Sequence, residues 1–347
     1  MKNLAKGLAI AAALTFVTAA AMPAYAGTSA ANQTINQQAG APDGGPFGVN
    51  LQTLQYGNAA DIETSAFQNA SGNIGVNVSA GNFNQQANLA HVDANSPTYA
   101  FSGDYEQSSE FEGTFISGAE HASITDQAFQ YAAGEIGANV AAGIWNQQGN
   151  AAFIVADDTL SKDNVYMSQT DAFTGCAVCG LNIPFLSNFG ASASGHAFDH
   201  ASGDIGANIA AGDINHQLNS LTVAYGGGNE NVTMEQTGLG HLYLISGLNQ
   251  GIVEDNAFAH ASGNIGLNIA AGSSNEQMNH AHVQSCGCEG GSQTIDQDND
   301  ASLTYISGYN FADITGNAFQ NASGQIGVNV AGGDVNQQAN ALSVLGH

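Results

Sequence analysis

Apolar and polar residues alternate strictly through the stretch SGNIGVNVSAG, with Ile74, Val76 and Val78 on one side and Gly75, Asn77 and Ser79 on the other. A period of two residues is that of a β-strand buried on one face. Ala80-Gly81-Asn82 then offers a turn, and Asn84 to Leu89 reads as a second strand. Gly interrupts almost every window of ten residues, and apolar spacing of the helical kind is hard to find. The pattern predicts an all-β chain.

The same phrase returns five times, in modules 66–90, 128–152, 197–221, 257–281 and 318–342. Each has a Phe near its start, at positions 67, 129, 198, 258 and 319, so the spacings are 62, 69, 60 and 61 residues. The connecting segments repeat as well: TFISGAEHASITDQAF, LYLISGLNQGIVEDNAF and LTYISGYNFADITGNAF share an apolar-x-Ile-Ser-Gly strand. The unit is therefore about 60 residues, a period that marks a repeat architecture. The expected fold is a repetitive β-solenoid, or stacked cross-β layers, built from five such imperfect repeats. A unit this long either folds back within one layer or makes two coils of about thirty residues. The expected organisation is an export signal over 1–26, an N-terminal segment over 27–65 and a five-repeat β region over 66–347. The last module runs to Leu342 and is as regular as the first, without an atypical capping unit. Bare strand edges are a hazard in a monomer and a requirement in a polymer, so the reading favours self-assembly over a finite solenoid.

Stacking units in register would align identical side chains. Asn77, Asn139, Asn208, Asn268 and Asn329 would form one column, and Gln86, Gln148, Gln217, Gln277 and Gln338 another. Strands lie about 4.8 Å apart, so each amide can donate to one neighbour and accept from the other. Ile74, Ile136, Ile205, Ile265 and Ile326 would give a dry apolar column. Gly75, Gly137, Gly206, Gly266 and Gly327 would let another sheet come close or make a bulge.

Composition narrows the function. Lys2 and Lys6 precede an apolar run from Leu8 to Met22 and the small-x-small site Ala24-Tyr25-Ala26, the layout of a secretory signal. Beyond it, Lys162 is the one basic side chain against 29 carboxylates. Nucleic acids and anionic lipid surfaces, which need cations, are excluded as partners, and no later stretch suits membrane insertion. Asn73, Glu135, Asp204, Asn264 and Gln325 share one position, so like charges are expected to meet seldom, and screening favours stacking.

The phrases ASGNIGVNVSAGNFNQQANLA and NASGQIGVNVAGGDVNQQANAL resemble the repeats of the Fap-type functional amyloid proteins of pseudomonads and related proteobacteria. The resemblance covers the five modules and, more loosely, the rest of the chain after the signal. It implies imperfect Gln/Asn-rich repeats, passage through the periplasm and an outer-membrane secretion pore, related fibril subunits as partners, and extracellular fibres that support biofilm cohesion and surface adhesion. Two features depart from the fibril subunit of that family: five repeats where fewer are associated with it, and a Cys-x-x-Cys in mid-chain rather than near the C-terminus. A minor subunit or an adhesin with the same repeat is consistent with them. The rival readings are a monomeric β-solenoid adhesin or matrix-binding protein, and a Cys/His surface protein that handles metal or haem.

Other chemistry is sparse. Cys176, Cys179, Cys286 and Cys288 all lie in linkers, and four cysteines in an exported chain suggest disulfides with three connectivities. His280, His282, Cys286 and Cys288 lie within nine residues and are weak metal candidates, though not spaced as a zinc finger, and His200 and His260 share a repeat position; scattered His in a polar repeat are more often surface or ladder residues, so no metal or other cofactor is expected. Asp296 to Asp300 resembles the start of a calcium loop, but Ala301 stands where the loop needs Gly and Ser307 where it needs Glu; a solvated acidic turn is expected instead. Gly-x-Ser-x-Gly, Walker and His-Glu-x-x-His motifs are absent, so the chain is not expected to be an enzyme.

Overall fold

The computed structural model describes residues 32–40, 51–54, 58–81, 84–93, 102–111, 113–116, 119–143, 145–156, 162–173, 187–225, 229–285 and 292–346. The export signal and all four cysteines lie outside them. The described residues contain no helix. Strands pair in parallel, and each pairs with the same strand of the unit before and the unit after. One unit therefore makes one layer that folds back within itself, and five layers stack.

The described strands fall mainly in four places, and Leu51–Leu54 pairs with Gly113–Ile116 apart from them. The first strand of the module forms one continuous sheet from Ser71–Ala80, Ala133–Ala142, Ser202–Ala211, Ser262–Ala271 and Ser323–Gly332. The second forms another from Gln85–Asp93, Gln147–Ala156, His216–Tyr225, Glu276–Ser285 and Gln337–Gly346. The linkers supply the outer walls. Asn32–Gly40, Ser102–Phe111 and Lys162–Phe173 stack with the start of Asn229–Val253, while Asn58–Ile62, Glu120–Ile124 and Ser187–Ala193 stack beneath its end. Ser292–Ile314 continues both walls into layer five. The N-terminal segment thus contributes the outer strands of layer one.

Alternation along the module sends side chains to two different interiors. Ile74, Val76 and Val78 and their counterparts face the second linker strand, where they pack with Ile62, Ile124, Ala191 and Val253. The module Phe joins them: Phe67, Phe129, Phe198, Phe258 and Phe319 stack with centroids 4.6–5.1 Å apart and rings within 11° of parallel. Across the layer, Leu89, Phe153, Leu218 and Met278 meet Tyr105, Val165, Met167, Val232 and Met234 of the first linker strand. Both apolar interiors are thus closed by linkers, and the seam between the two module strands is left polar.

Backbone geometry holds the bends. Asn69, Tyr131, His200, His260 and Asn321 occupy one position of the arc that enters the module, each with φ of 58°. That left-handed region favours Asn and His among non-glycine residues. At the turn between module strands the Gly81, Gly143, Gly212, Gly272 and Gly333 column has φ of 111–128°; a Cβ on Gly212 would lie 2.0 Å from the carbonyl oxygen of Gly272 one layer on.

The Gly75 column brings the two module sheets together. A Cβ at Gly206 would lie 2.5 Å from the Asn150 Oδ1 of the facing strand, whereas at Gly75, in the first layer, its nearest neighbour is 3.3 Å away. Gly206→Ala is therefore expected to destabilise the stack by about 1–3 kcal/mol, the usual cost of overpacking, and Gly75→Ala by less. Midpoints of guanidinium dissolution for the two variants check this order.

Candidate assembly interface

The polar seam is built from side-chain amides, each of which offers two N–H donors and an acceptor oxygen. Nδ2 of Asn139 donates to Oδ1 of Asn77 at 2.9 Å, Asn208 to Asn139 at 2.9 Å, Asn268 to Asn208 at 2.9 Å and Asn329 to Asn268 at 3.0 Å. The facing strand runs a second ladder through Asn88, Asn150, Asn219, Asn279 and Asn340, with spacings of 2.9–3.0 Å. Within each layer the two ladders are cross-linked, as from Asn219 Nδ2 to Asn208 Oδ1 at 2.9 Å. Asn150 is held to the orientation of its counterparts, since turned over it would set its Nδ2 against the Nδ2 of Asn208 and Asn219. Asn139, Asn208 and Asn268 are fully buried, so each unmade bond there would leave a costly unpaired group, about 1–3 kcal/mol.

The Gln column runs with the opposite polarity. Nε2 of Gln86, Gln148, Gln217 and Gln277 each donates to Oε1 of the next layer, at 2.7–2.9 Å, ending on Gln338. Two further ladders, like that of Asn88, were not anticipated from the sequence. Asn84, Asn146, Asn215, Asn275 and Asn336 form one at the turn. Gln37, Gln107, Gln169, Gln236 and Gln297 form the other in the first linker strand, at 2.7–2.9 Å. The same Nε2 of Gln169 reaches the Gln217 carbonyl at 3.2 Å, tying wall to module.

The end layers carry this pattern to a bare face. Ile136, Ile205 and Ile265 are buried, but Ile326 in layer five is 41% exposed. Tyr309, Phe311, Ile314, Leu342 and Val344 are exposed on that layer too. Asn77 and Ile74 lie at the other end, the first exposed and the second partly so. Layer five points the acceptor side of its Asn ladders outward and layer one the donor side, so the two ends complement each other.

One cluster resists stacking. Glu135 and Asp204 are neighbours at the position where like charges were expected to meet seldom, and both face a groove of about 340 Å³ that runs beside the seam. Burial, and secondarily Asp204, pushes Glu135 up to about 8; burial raises Asp204 to about 6, against a hydrogen bond from Asn264 Nδ2 at 2.7 Å. Glu120 in the wall is also held well above its ordinary value, by burial and then by Asp213.

Of the other residues singled out in the sequence, His280 and His282 are buried in the second module strand of layer four, with ring centroids 6.4 Å apart. Burial, then His282, pushes His280 down to about 3. Cys286 and Cys288, like Cys176 and Cys179, fall outside the described residues. Asp296 and Asp298 lie on the exposed face of a strand, not in a turn, and between them Gln297 points inward to its ladder.

These shifts set a pH dependence. A carboxyl raised in the folded state costs nothing below its unfolded value near 4 and costs most above its folded value. Glu135 and Asp204 thus weaken the stack as pH rises from about 4 to about 8. His280 acts the other way below pH 6.5, where the unfolded chain takes the proton that the buried ring refuses. The combined change Glu135→Gln and Asp204→Asn is expected to raise the guanidinium midpoint at pH 8 more than at pH 5, leaving a flatter profile than the parent's.

A profile of the functional amyloid protein FapB/FapC family matches residues 3–114, 102–286 and 230–345. The chain is similar to functional amyloid subunit FapC of Pseudomonas aeruginosa, 28% identical over 273 residues that cover 67% of this chain and 77% of that protein. No solved structure matches it. Since the profile matches overlap and together run through nearly all the repeats whose stacking is described above, this chain belongs to the functional amyloid FapB/FapC family.

Proposed function

We propose that this chain is a secreted structural subunit of extracellular amyloid fibres that hold a biofilm together, and that fibres grow by stacking copies end to end. The observation that carries the reading is the match between the two bare end layers. Asn329 would accept from Asn77 of the next copy as Asn268 accepts from Asn329, and Gln338 would donate to Gln86 as Gln277 donates to Gln338. Burial of Ile326, Phe311 and Leu342 beneath the next layer supplies the apolar drive, about 25 cal/mol per Å² of apolar surface removed from water. The Asn and Gln columns are thus the assembly ladder, with the Ile column as its dry side. Similarity to a FapC subunit supports the same reading and favours it over a monomeric adhesin. Export across the periplasm and an outer-membrane pore, and mixing with related subunits, complete the proposal.

No reaction is required of such a protein, and the seam offers none: its amides are consumed in holding one another. Replacing Asn77, Asn139, Asn208, Asn268 and Asn329 together by Asp would stack carboxylates at one-layer spacing, where they repel. Fibres are expected to be absent at pH 7.4 and to return in part below about pH 4, where the carboxyls are neutral. Electron microscopy and thioflavin binding across that range read the outcome; ordinary fibres at pH 7.4 would contradict the ladder's role.

A further inference from the structure

The arc that enters the module holds a second cluster of chemistry, away from the seam. The column Asn69, Tyr131, His200, His260 and Asn321 places two imidazoles in adjacent layers, their rings 4.5 Å apart and 19° from parallel. At the preceding position stand Gln68, Gln130, Asp199, Ala259 and Gln320, so layer three contributes a carboxylate there and layer four only a methyl group. His260 leans back over that gap, and its Nδ1 lies 3.4 Å from Asp199 Oδ1. His200 Nδ1 is 2.8 Å from the same oxygen, and His196 Nδ1 is 2.8 Å from Oδ2. One carboxylate is thus ringed by three imidazoles. The ligand atoms of Asp199, His200 and His260 all lie within 4.8 Å of one another.

The surroundings suit a cation. The Asp199 side chain is 7% exposed, while the three imidazoles about it are 42–44% exposed and open to solvent. The chain around them is strongly acidic, which concentrates cations at its surface. We infer that Asp199, His200 and His260, with solvent in the remaining position, bind a divalent transition-metal ion of the zinc class. Imidazole nitrogen with a single carboxylate is the donor set of zinc or copper(II); calcium and magnesium take oxygen ligands. Binding closes the cluster from its present spacing to metal–ligand distances of about 2.0–2.2 Å, and displaces the imidazole protons that now face the carboxylate.

The site occurs once per chain, because only layers three and four carry His at this position. It clips two layers of one chain together, so the metal stabilises the stack by mass action. In a fibre of end-to-end copies the ions would lie about 24 Å apart, five strand spacings.

The test uses the mature chain with its cysteines alkylated, so that thiols cannot compete. Equilibrium dialysis against Zn²⁺ at pH 7.4 is expected to give one ion per chain, and Co²⁺ in its place to give the visible absorption of a tetrahedral nitrogen and oxygen site. Asn already fills this arc position in layers one and five, as Asn69 and Asn321, so His200→Asn and His260→Asn keep the fold. That pair, and separately Asp199→Asn, are expected to weaken Zn²⁺ at least tenfold with the strand circular dichroism unchanged; His280→Ala with His282→Ala is expected to leave the affinity as it was. Failure to bind Zn²⁺ stoichiometrically at micromolar concentration, or binding that survives both sets of arc substitutions, would overturn the assignment.

Discussion

Everything in this fold depends on a buried amide meeting its own counterpart one layer away. Asn208 makes its bonds only if Asn139, 69 residues earlier, and Asn268, 60 residues later, stand directly beneath and above it. A slip of one residue would turn every side chain of the strand to the other face and leave the amides without partners in a dry seam. The ladder therefore fixes register with more discrimination than apolar packing could, since an apolar column tolerates unlike neighbours, as where Ala207, Leu267 and Val328 follow one another. Linkers of unequal length are tolerated for the same reason. The longest insertion shifts nothing in the module sheets, because the ladder re-establishes register after it.

The apolar contribution comes from elsewhere in the layer. Module strands alone would bury one face each and leave the other against water. The linker strands cover both, through the Phe stack and the Ile column on one side and Tyr105, Met167 and Met234 on the other. What remains uncovered is the pair of end layers, and the same contacts that join layer three to layer four are available there to another copy. Assembly in this account is intramolecular stacking continued across a chain boundary. The acidic groups limit it: Glu135 and Asp204 sit in adjacent layers, where burial and mutual repulsion oppose their charge.

Much of this was legible in the sequence, because identity at a fixed spacing is itself a statement about stacking. The alternation at Ile74, Val76 and Val78 marked the strand and its faces, and the recurring Asn77 and Gln86 positions marked columns that do bond. Other parts needed the structure. Whether a unit makes one layer or two cannot be read from its length; pairing of Ile205 with Ile265 decides it. The Gln37 column is not legible in the sequence because its neighbours differ in every unit, from Asn-Gln-Gln-Ala to Asp-Gln-Asp-Asn, and no local phrase advertises it. The Asn88 ladder lay inside the repeated phrase, but its pairing with Asn77 arises only when the turn folds one strand on the other. The arc cluster was half visible, as His200 above His260; Asp199 and His196 joined it through a bend that the strand pattern does not encode.

The central claim is that one repeat makes one layer and five layers make one chain. Its most direct measurement is the axial rise per subunit in fibres of the mature protein, by helical reconstruction from electron cryomicroscopy. Five layers at the spacing of paired strands predict about 24 Å per chain, under a 4.8 Å layer line. A rise near 4.8 Å, with each chain confined to a single layer, or near 48 Å, with two coils per repeat, would contradict it.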